Sequence, residues 1–276
     1  MSLIVGIDAG GTKLAAALVD VRDGRLLERR DAPTERQRGG DAVLTDCVAL
    51  AKQVAGGHAV EAIGIGVPEL VSPDGRIGSA ANWDWRDGRW KSALDAIAPA
   101  HVESDVRAAA LAEARLGAGR DLSSFLYMTI GTGISHTFVI AGTPWRGARG
   151  NAIVSGAPLV EEVASGSALA GAAGKARAED VLSSPAHEPI VEAAVHALGI
   201  ELARLVNAFD PDAVVIGGGL GLVPGFRDRV VARMRPEIYA ESTRDLAVLP
   251  GLLGVDAGVI GAALAAGAAL ATDAAL

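Results

Sequence analysis

Leu3-Ile4-Val5-Gly6-Ile7-Asp8-Ala9-Gly10-Gly11-Thr12-Lys13-Leu14-Ala15-Ala16-Ala17-Leu18-Val19-Asp20 is the stretch whose reading decides the fold. Leu3 to Asp8 is a short apolar run that ends in an acid. A glycine turn follows, and Lys13 to Asp20 is a second run of strand character. Short apolar runs bounded by glycine read as buried strands. The turn has a chemical reading as well. Glycines carry no Cβ, so their backbone N–H groups can approach phosphate oxygens closely. Thr12 adds a hydroxyl donor, and Asp8 at the strand end can hold Mg²⁺ through water. Taken alone, the turn is equally an ordinary tight hairpin.

The pattern recurs. Phe125 to Ile130 leads into Gly131-Thr132-Gly133 and then into a strand through Ile140. Strand, glycine turn, strand at 3–20 and again at 125–141 reads as an internal structural repeat. Two such turns can clamp one polyphosphate from both sides. Neither is a GxxxxGK[ST] loop or a GxGxxG loop. Gly217-Gly218-Gly219, after the strand Ala213 to Ile216, leaves room for a purine and ribose; the alternative is a plain strand-to-helix connection.

Outward from these turns, Asp23-Gly24 signals a hairpin, and Arg25 to Arg30 a third strand. Helical spacing covers Asp41 to Val54, Asp105 to Leu116, about Pro189 to Phe209 and about Pro224 to Met234, and a last helix begins near Asp256. Ala62 to Val67 reads as a further buried strand. The expected fold class is α/β, with two similar domains facing across a cleft. The boundaries fall at 1–106 plus about 259–276, and at 107–258.

Composition narrows the function classes. The chain has 276 residues, of which 50% are hydrophobic and 21% charged, so a sizeable core forms and wholesale disorder is excluded. The net charge is −8 with no Lys/Arg cluster, and aromatics are 4%, which argues against a nucleic-acid partner. Cys47 is the only cysteine, so an internal disulfide and a cysteine-based zinc site are excluded. Val255 to Ala271 is apolar but holds Asp256 and many Ala and Gly; it reads as a buried helix and not a membrane span. The N-terminus runs straight into a strand pattern with no leader signature. A soluble, cytoplasmic protein is expected.

Eight pieces in order carry a resemblance. They are Asp8-Ala9-Gly10-Gly11-Thr12-Lys13, Gly64-Ile65-Gly66-Val67-Pro68, Asn82-Trp83, and Glu103-Ser104-Asp105 with Ala108 to Glu113. Then come Gly131-Thr132-Gly133-Ile134, Ala164-Ser165-Gly166, Asp210 to Gly219, and Ala257 to Ala263. In this order they resemble the ROK sugar kinases of the actin-like ATPase superfamily, over nearly the whole chain. The resemblance implies two RNase H-like domains closing over ATP, Mg²⁺ and a sugar, and phosphoryl transfer to a hydroxyl. Asp105 falls where the family keeps its general base. A carboxylate there can accept the acceptor hydroxyl's proton; the plain alternative is a helix N-cap, with Ser104 competing for that role. Asp8, Gly10, Gly11, Thr12, Lys13, Gly131, Thr132, Gly133, Gly217, Gly218 and Gly219 are the implied nucleotide and Mg²⁺ residues. The family often dimerises, and the apolar faces of the later helices would permit a homodimer.

The substrate motif departs from the family. After Gly150-Asn151-Ala152, Val154 stands where a sugar-gripping Glu belongs and Ala157 where a His belongs. The zinc segment is missing, and Ser104 replaces an Asn. Glu161 does match a further sugar-contacting Glu. Each hydroxyl left without a partner costs ~1–3 kcal/mol, so ordinary glucose binding is expected to weaken. Candidate substitutes are Glu69, His136 with Ser135, Arg107 and Arg149. Each Arg is equally read as a solvated surface charge, and His136 as a structural strand residue. Glu69, Glu161 and Asp105, with Asn82 and Ser104, would form an acidic pocket. That points to an amino sugar or aminocyclitol through its ammonium group; a neutral sugar or cyclitol is the alternative. Outside the enzymes, a ligand-sensing pseudokinase is the main competing class. The family's repressors carry a DNA-binding segment ahead of the kinase-like part, and this chain begins at its first strand. A filament or chaperone ATPase finds little support.

Overall fold

The computed structural model describes residues 1–154 and 160–273. The chain divides into two compact units. One comprises Met1–Leu116, Arg146–Ala152 and Asp256–Leu276, the other Gly117–Trp145 and Ile153–Val255.

The first unit is built on a five-stranded sheet. Its strands are β1 (Leu3–Ala9), β2 (Lys13–Asp20), β3 (Arg25–Pro33), β4 (Ala62–Val67) and β5 (Ala100–Ser104). Their spatial order is β3-β2-β1-β4-β5. β1 pairs antiparallel with β2 and parallel with β4, and β4 is parallel to β5. β1 and β4 are central and covered on both faces, which is why their sequences are almost continuously apolar. β3 lies at the edge and carries Arg25, Glu28, Arg29, Arg30 and Asp31, charges that discourage edge-to-edge pairing.

Helix α1 (Gly40–Ala55) lays Val43, Leu44, Cys47, Leu50, Ala51 and Val54 into the core of this unit, together with Trp83, Trp85 and Trp90 from the following loop and from α2 (Arg89–Asp95). Helix α3 (Asp105–Leu116) follows β5 directly. Helix α9 (Ala257–Asp273) completes the unit. It is long and apolar enough to cross a membrane by length and composition. Here its Val259, Ile260, Ala262 and Ala263 are buried against the sheet.

Contact between α9 and the sheet runs backbone to backbone. A Cβ at Gly6 of β1 would strike the Val259 carbonyl, and one at Gly64 of β4 the Ala262 carbonyl. Neither obstacle is a flexible side chain, so neither can yield cheaply. Gly64→Ala should therefore lift α9 off the sheet and destabilise the fold by about 2 kcal/mol or more. A urea midpoint unchanged from wild type would show that the helix gives way freely.

The second unit repeats the plan. Its strands are β6 (Ser124–Ile130), β7 (Ile134–Ile140), β8 (Thr143–Pro144), β9 (Ala213–Gly217) and β10 (Ala247–Pro250), in the order β10-β9-β6-β7-β8. β6 is antiparallel to β7 and parallel to β9, as β1 is to β2 and β4. The repeat expected from the two glycine turns is therefore a repeated sheet topology, and the α/β fold class stands. Around this sheet lie α4 (Glu161–Ala164), α5 (Gly166–Ala173), α6 (Ala178–Leu182), α7 (Glu188–Phe209) and α8 (Pro224–Met234). α7 buries Val191, Ala194, Val195, Leu198, Leu202 and Val206 along one stripe, the spacing of a helix laid on a sheet.

Candidate active site

In the first unit, Asp8, Val67 and Ser104 stand at or next to the carboxyl ends of three neighbouring parallel strands. Asp8 is opposite Gly66, and Val67 opposite Ser104. Asp105 is the first residue of α3. A Cβ at Gly66 would lie 3.6 Å from the Asp105 Cα and 3.6 Å from the Ile7 carbonyl oxygen. The two aspartates thus flank one glycine at the end of the sheet where open α/β folds bind their ligands.

Asp8 is half-buried, and burial pushes its carboxyl up from 3.8 to about 6, against the pull of Arg29 and Lys13. Its Oδ2 abuts the first turn of α9 at Gly258. Arg29 and Lys13 are themselves paired, Arg29 with Asp31 and Asp256, Lys13 with Asp31 at 3.0 Å. A desolvated carboxylate whose neighbouring cations are engaged elsewhere fits a bound divalent ion. Asp105 Oδ1 accepts the Val106 N–H at 2.7 Å. Ser104 is fully buried, and its Oγ has no hydrogen-bond partner among the described residues.

The turn at 10–12 is stapled to the segment after β3. The Thr34 N–H donates to the Thr12 carbonyl at 2.9 Å, and Thr34 Oγ1 to the Gly10 carbonyl at 2.7 Å. That staple brings Arg36 to the turn. A Cβ on Gly11 would sit 3.8 Å from Arg36 Nη1 and 3.5 Å from Asn82 Oδ1. No motif or spacing in that segment singles out Arg36.

Glu69 is buried and fully engaged. One oxygen accepts the Ser79 hydroxyl and the Ala81 N–H at 2.9 Å, and the other accepts the Asn82 N–H at 2.7 Å. Asn82 Nδ2 in turn donates to the Pro68 carbonyl at 3.0 Å. Glu69 therefore shapes the loop that carries Asn82, and its carboxylate is not left open to pair with an ammonium group.

Arg107 also differs from its reading as a solvated charge. It is 1% exposed. Its guanidinium bonds Glu103 and two backbone carbonyls. A burial this complete needed a carboxylate, and Glu103 four residues earlier supplies it. Val154 is 52% exposed. Ala157 lies outside the described residues.

In the second unit, three segments converge on the turn at 131–133. The Gly166 N–H donates to the Gly131 carbonyl at 2.7 Å, and the Ser167 N–H to the Thr132 carbonyl at 3.2 Å. The Leu220 and Gly221 N–H groups both donate to the Ile130 carbonyl at 3.0 Å. Gly218 has φ +79°, and a Cβ there would strike Ile130. Gly218 thus packs on Ile130, and Gly219 lies beside Gly131. Open space surrounds the Gly219 Cβ position. Glu161 Oε2 accepts the Ile134 N–H at 2.7 Å, closing the turn from outside, with the carboxylate still exposed.

His136 shares its face of β7 with Ile134 and Phe138, by the alternation of a strand. Ile134 belongs to the core, and Phe138 stacks on Phe209 of α7 at 5.0 Å. Burial holds the imidazole below its usual value against the pull of Glu201 on α7. The ring is part of the packed layer of the second unit and is buried there, as its reading as a structural strand residue expects.

Three comparisons bear on this arrangement. The family model described as ROK family matches residues 4–158 and 155–269. A glucokinase from Halalkalibacterium halodurans is 30% identical over 93% of this chain and 92% of its own length. The bifunctional enzyme NanE/NanK of Brucella melitensis is 34% identical over 95% of this chain, which spans 53% of that longer protein. Among solved structures, a ROK family glucokinase from Streptomyces griseus in complex with glucose and AMPPNP has a TM-score of 0.85. It is 28% identical, over 96% of this chain and 99% of that one. With the repeated sheet, the two glycine turns and the paired aspartates already in hand, these matches establish that the chain belongs to the ROK family.

Proposed function

We propose that this ROK carbohydrate kinase transfers the terminal phosphoryl group of ATP to a hydroxyl of a sugar, with Asp105 receiving the hydroxyl proton. The observation that carries the reading is the pair Asp8 and Asp105 on either side of Gly66 at the carboxyl ends of β1 and β5. Phosphoryl transfer asks the protein mainly to position groups and neutralise charge. When bound, Mg²⁺ supplies that neutralisation at the phosphates; Asp8 is the residue that would hold it, through water. Each glycine turn is proposed, within its own unit, as a cradle for phosphate oxygens: 10–12 in the first and 131–133 in the second. In the second unit Gly217 to Gly219 would leave room for a base and ribose; in the first, Lys13 contributes through the local field while paired to Asp31.

Arg36, which has no ion-pair partner among the described residues, adds a positive charge beside Gly11. A guanidinium aimed at a transferring phosphoryl group stabilises charge as it spreads over the oxygens. Arg36→Gln is expected to lower kcat by about 10²-fold with the acceptor KM nearly unchanged. An unaltered kcat in steady-state kinetics would remove Arg36 from the reaction.

On the acceptor side, engagement of Glu69 by three protein donors removes much of the acidic pocket that pointed to an ammonium-bearing acceptor. A neutral hexose or an N-acylated hexosamine is the better-supported class. It agrees with relatives named glucokinase and NanE/NanK. Asn82, Ser104 and Asp105 are the acceptor contacts proposed in the first unit; in the second, Glu161 keeps an exposed carboxylate suited to a sugar hydroxyl. The test is ADP release across a panel of glucose, mannose, fructose, N-acetylmannosamine and glucosamine. Turnover with neutral or N-acylated members supports the reading. Preference for glucosamine would restore the amino-group idea, and no turnover with any member would favour the ligand-sensing alternative.

A further inference from the structure

Arg107 and Glu103, which bracket Asp105 in the chain, form the core of a buried ion cluster. Arg107 Nε donates to Glu103 Oε1 at 2.8 Å, Nη1 to the Gly150 carbonyl at 2.9 Å and Nη2 to the Val71 carbonyl at 2.6 Å. Glu103 Oε2 takes Arg146 Nη2 at 2.6 Å, and Arg146 Nη1 reaches the Pro73 carbonyl at 3.2 Å. The Ser104 N–H adds a further bond to Glu103 Oε1 at 2.8 Å. Gly150 has φ +79°, and a Cβ there would strike the Val71 carbonyl, so the two backbones lie in direct contact.

Three segments are therefore tied to one carboxylate: 71–73, 103–107 and 146–150. The second carries Asp105. The third leads into Gly150-Asn151-Ala152, the start of the substrate motif. Burying a carboxylate with a guanidinium is a costly way to gain stability, since apolar side chains of like volume do as well or better. What the planar fork adds is direction, because its donors fix angle as well as distance.

We propose that Arg107 is a positioning residue, which with Glu103 and Arg146 holds the Gly150–Ala152 segment in register with Asp105 and so sets acceptor affinity. The inference rests on Asp105 as the base proposed above. It predicts damage to acceptor binding with nucleotide binding spared, a split that loss of general stability would not produce.

The experiment compares wild type, Arg107→Lys, the double variant Glu103→Gln/Arg107→Met and Asp105→Asn. D-glucose and N-acetyl-D-mannosamine serve as acceptors, and trypsin cleavage after the exposed Arg149 is followed by mass spectrometry without any ligand. Lys keeps the charge but not the fork. The double variant leaves no lone buried carboxylate and keeps the question answerable if Arg107→Lys folds poorly. The expected result in both is a tenfold or greater rise in acceptor KM, ATP KM within twofold of wild type, and cleavage after Arg149 at least tenfold faster. Unchanged cleavage, or acceptor and ATP KM rising together, would overturn the proposal. Full turnover by Asp105→Asn would sink the base assignment instead, while the cleavage rates still decide whether the cluster holds the segment.

Discussion

Asp8→Asn is expected to make the protein more stable and, at the same time, inactive. Burial pushes the Asp8 carboxyl from 3.8 to about 6, so the folded state binds its proton more tightly than the unfolded chain does. A raised acid contributes its full stability below about pH 4. That contribution is lost as pH rises through 6, and above 6 the ionised, desolvated carboxylate carries its whole cost. At 1.36 kcal/mol per unit the cost is ~2–3 kcal/mol at pH 8. An amide has no charge to desolvate, so Asp8→Asn should recover most of that at pH 8 and almost none at pH 4. Denaturant titrations at the two pH values read it directly. A stability gap of equal size at both would show that the charge is not the cause. The same substitution removes the carboxylate proposed to hold Mg²⁺, and Mg²⁺-dependent binding of an ATP analogue should fall by at least tenfold. Gain of stability with loss of function is the usual signature of a strained functional group.

Asp105→Asn is expected to lower kcat on the order of 10³-fold, the range for removal of a positioned general base. Binding of the ATP analogue should shift by less than about threefold, because no nucleotide role is assigned to this carboxylate. The substitution is nearly isosteric. Oδ1 can still accept the Val106 N–H that it accepts at 2.7 Å in the native chain, so the start of α3 should keep its form. A fall in kcat with an unchanged melting temperature would separate the chemistry from the cap. If Asp105 served only as an N-cap, the amide would cap as well as the acid, and both the melting temperature and kcat would hold.

Much of the fold was legible because the central strands are buried on both faces. β1, β4 and β9 are apolar runs with sharp ends, and those ends mark Asp8, Gly66 and Gly217. β5 was not anticipated as a strand. His101 and Glu103 interrupt its apolar pattern, and Glu103 is tolerated there only because Arg107 and Arg146 neutralise it. The same cluster explains the misreading of Arg107. The Glu four residues before it belongs to the preceding strand, so its partner is not apparent on the helix itself, and the pair faces inward.

In sequence Glu69 stands as a candidate substrate contact in an acidic pocket. Its partners turned out to be a hydroxyl and two N–H groups of the 79–82 loop, which no local spacing announces. Arg36 carried no signal at all, since its place beside Gly11 depends on the Thr34 bonds to the turn. Individual glycines and acids at strand ends could be read from the sequence. Side chains that act through a distant loop could not, because their role is set by tertiary pairing.

Phosphorus NMR of ATP, Mg²⁺ and the hexose panel, run with wild type and Asp105→Asn side by side, tests the central claim most directly. The account predicts a sugar phosphate ester resonance growing in step with ADP for the wild type and essentially none for the variant over the same hours. Equal ester formation by both, or ADP appearing with inorganic phosphate and no ester, would contradict it.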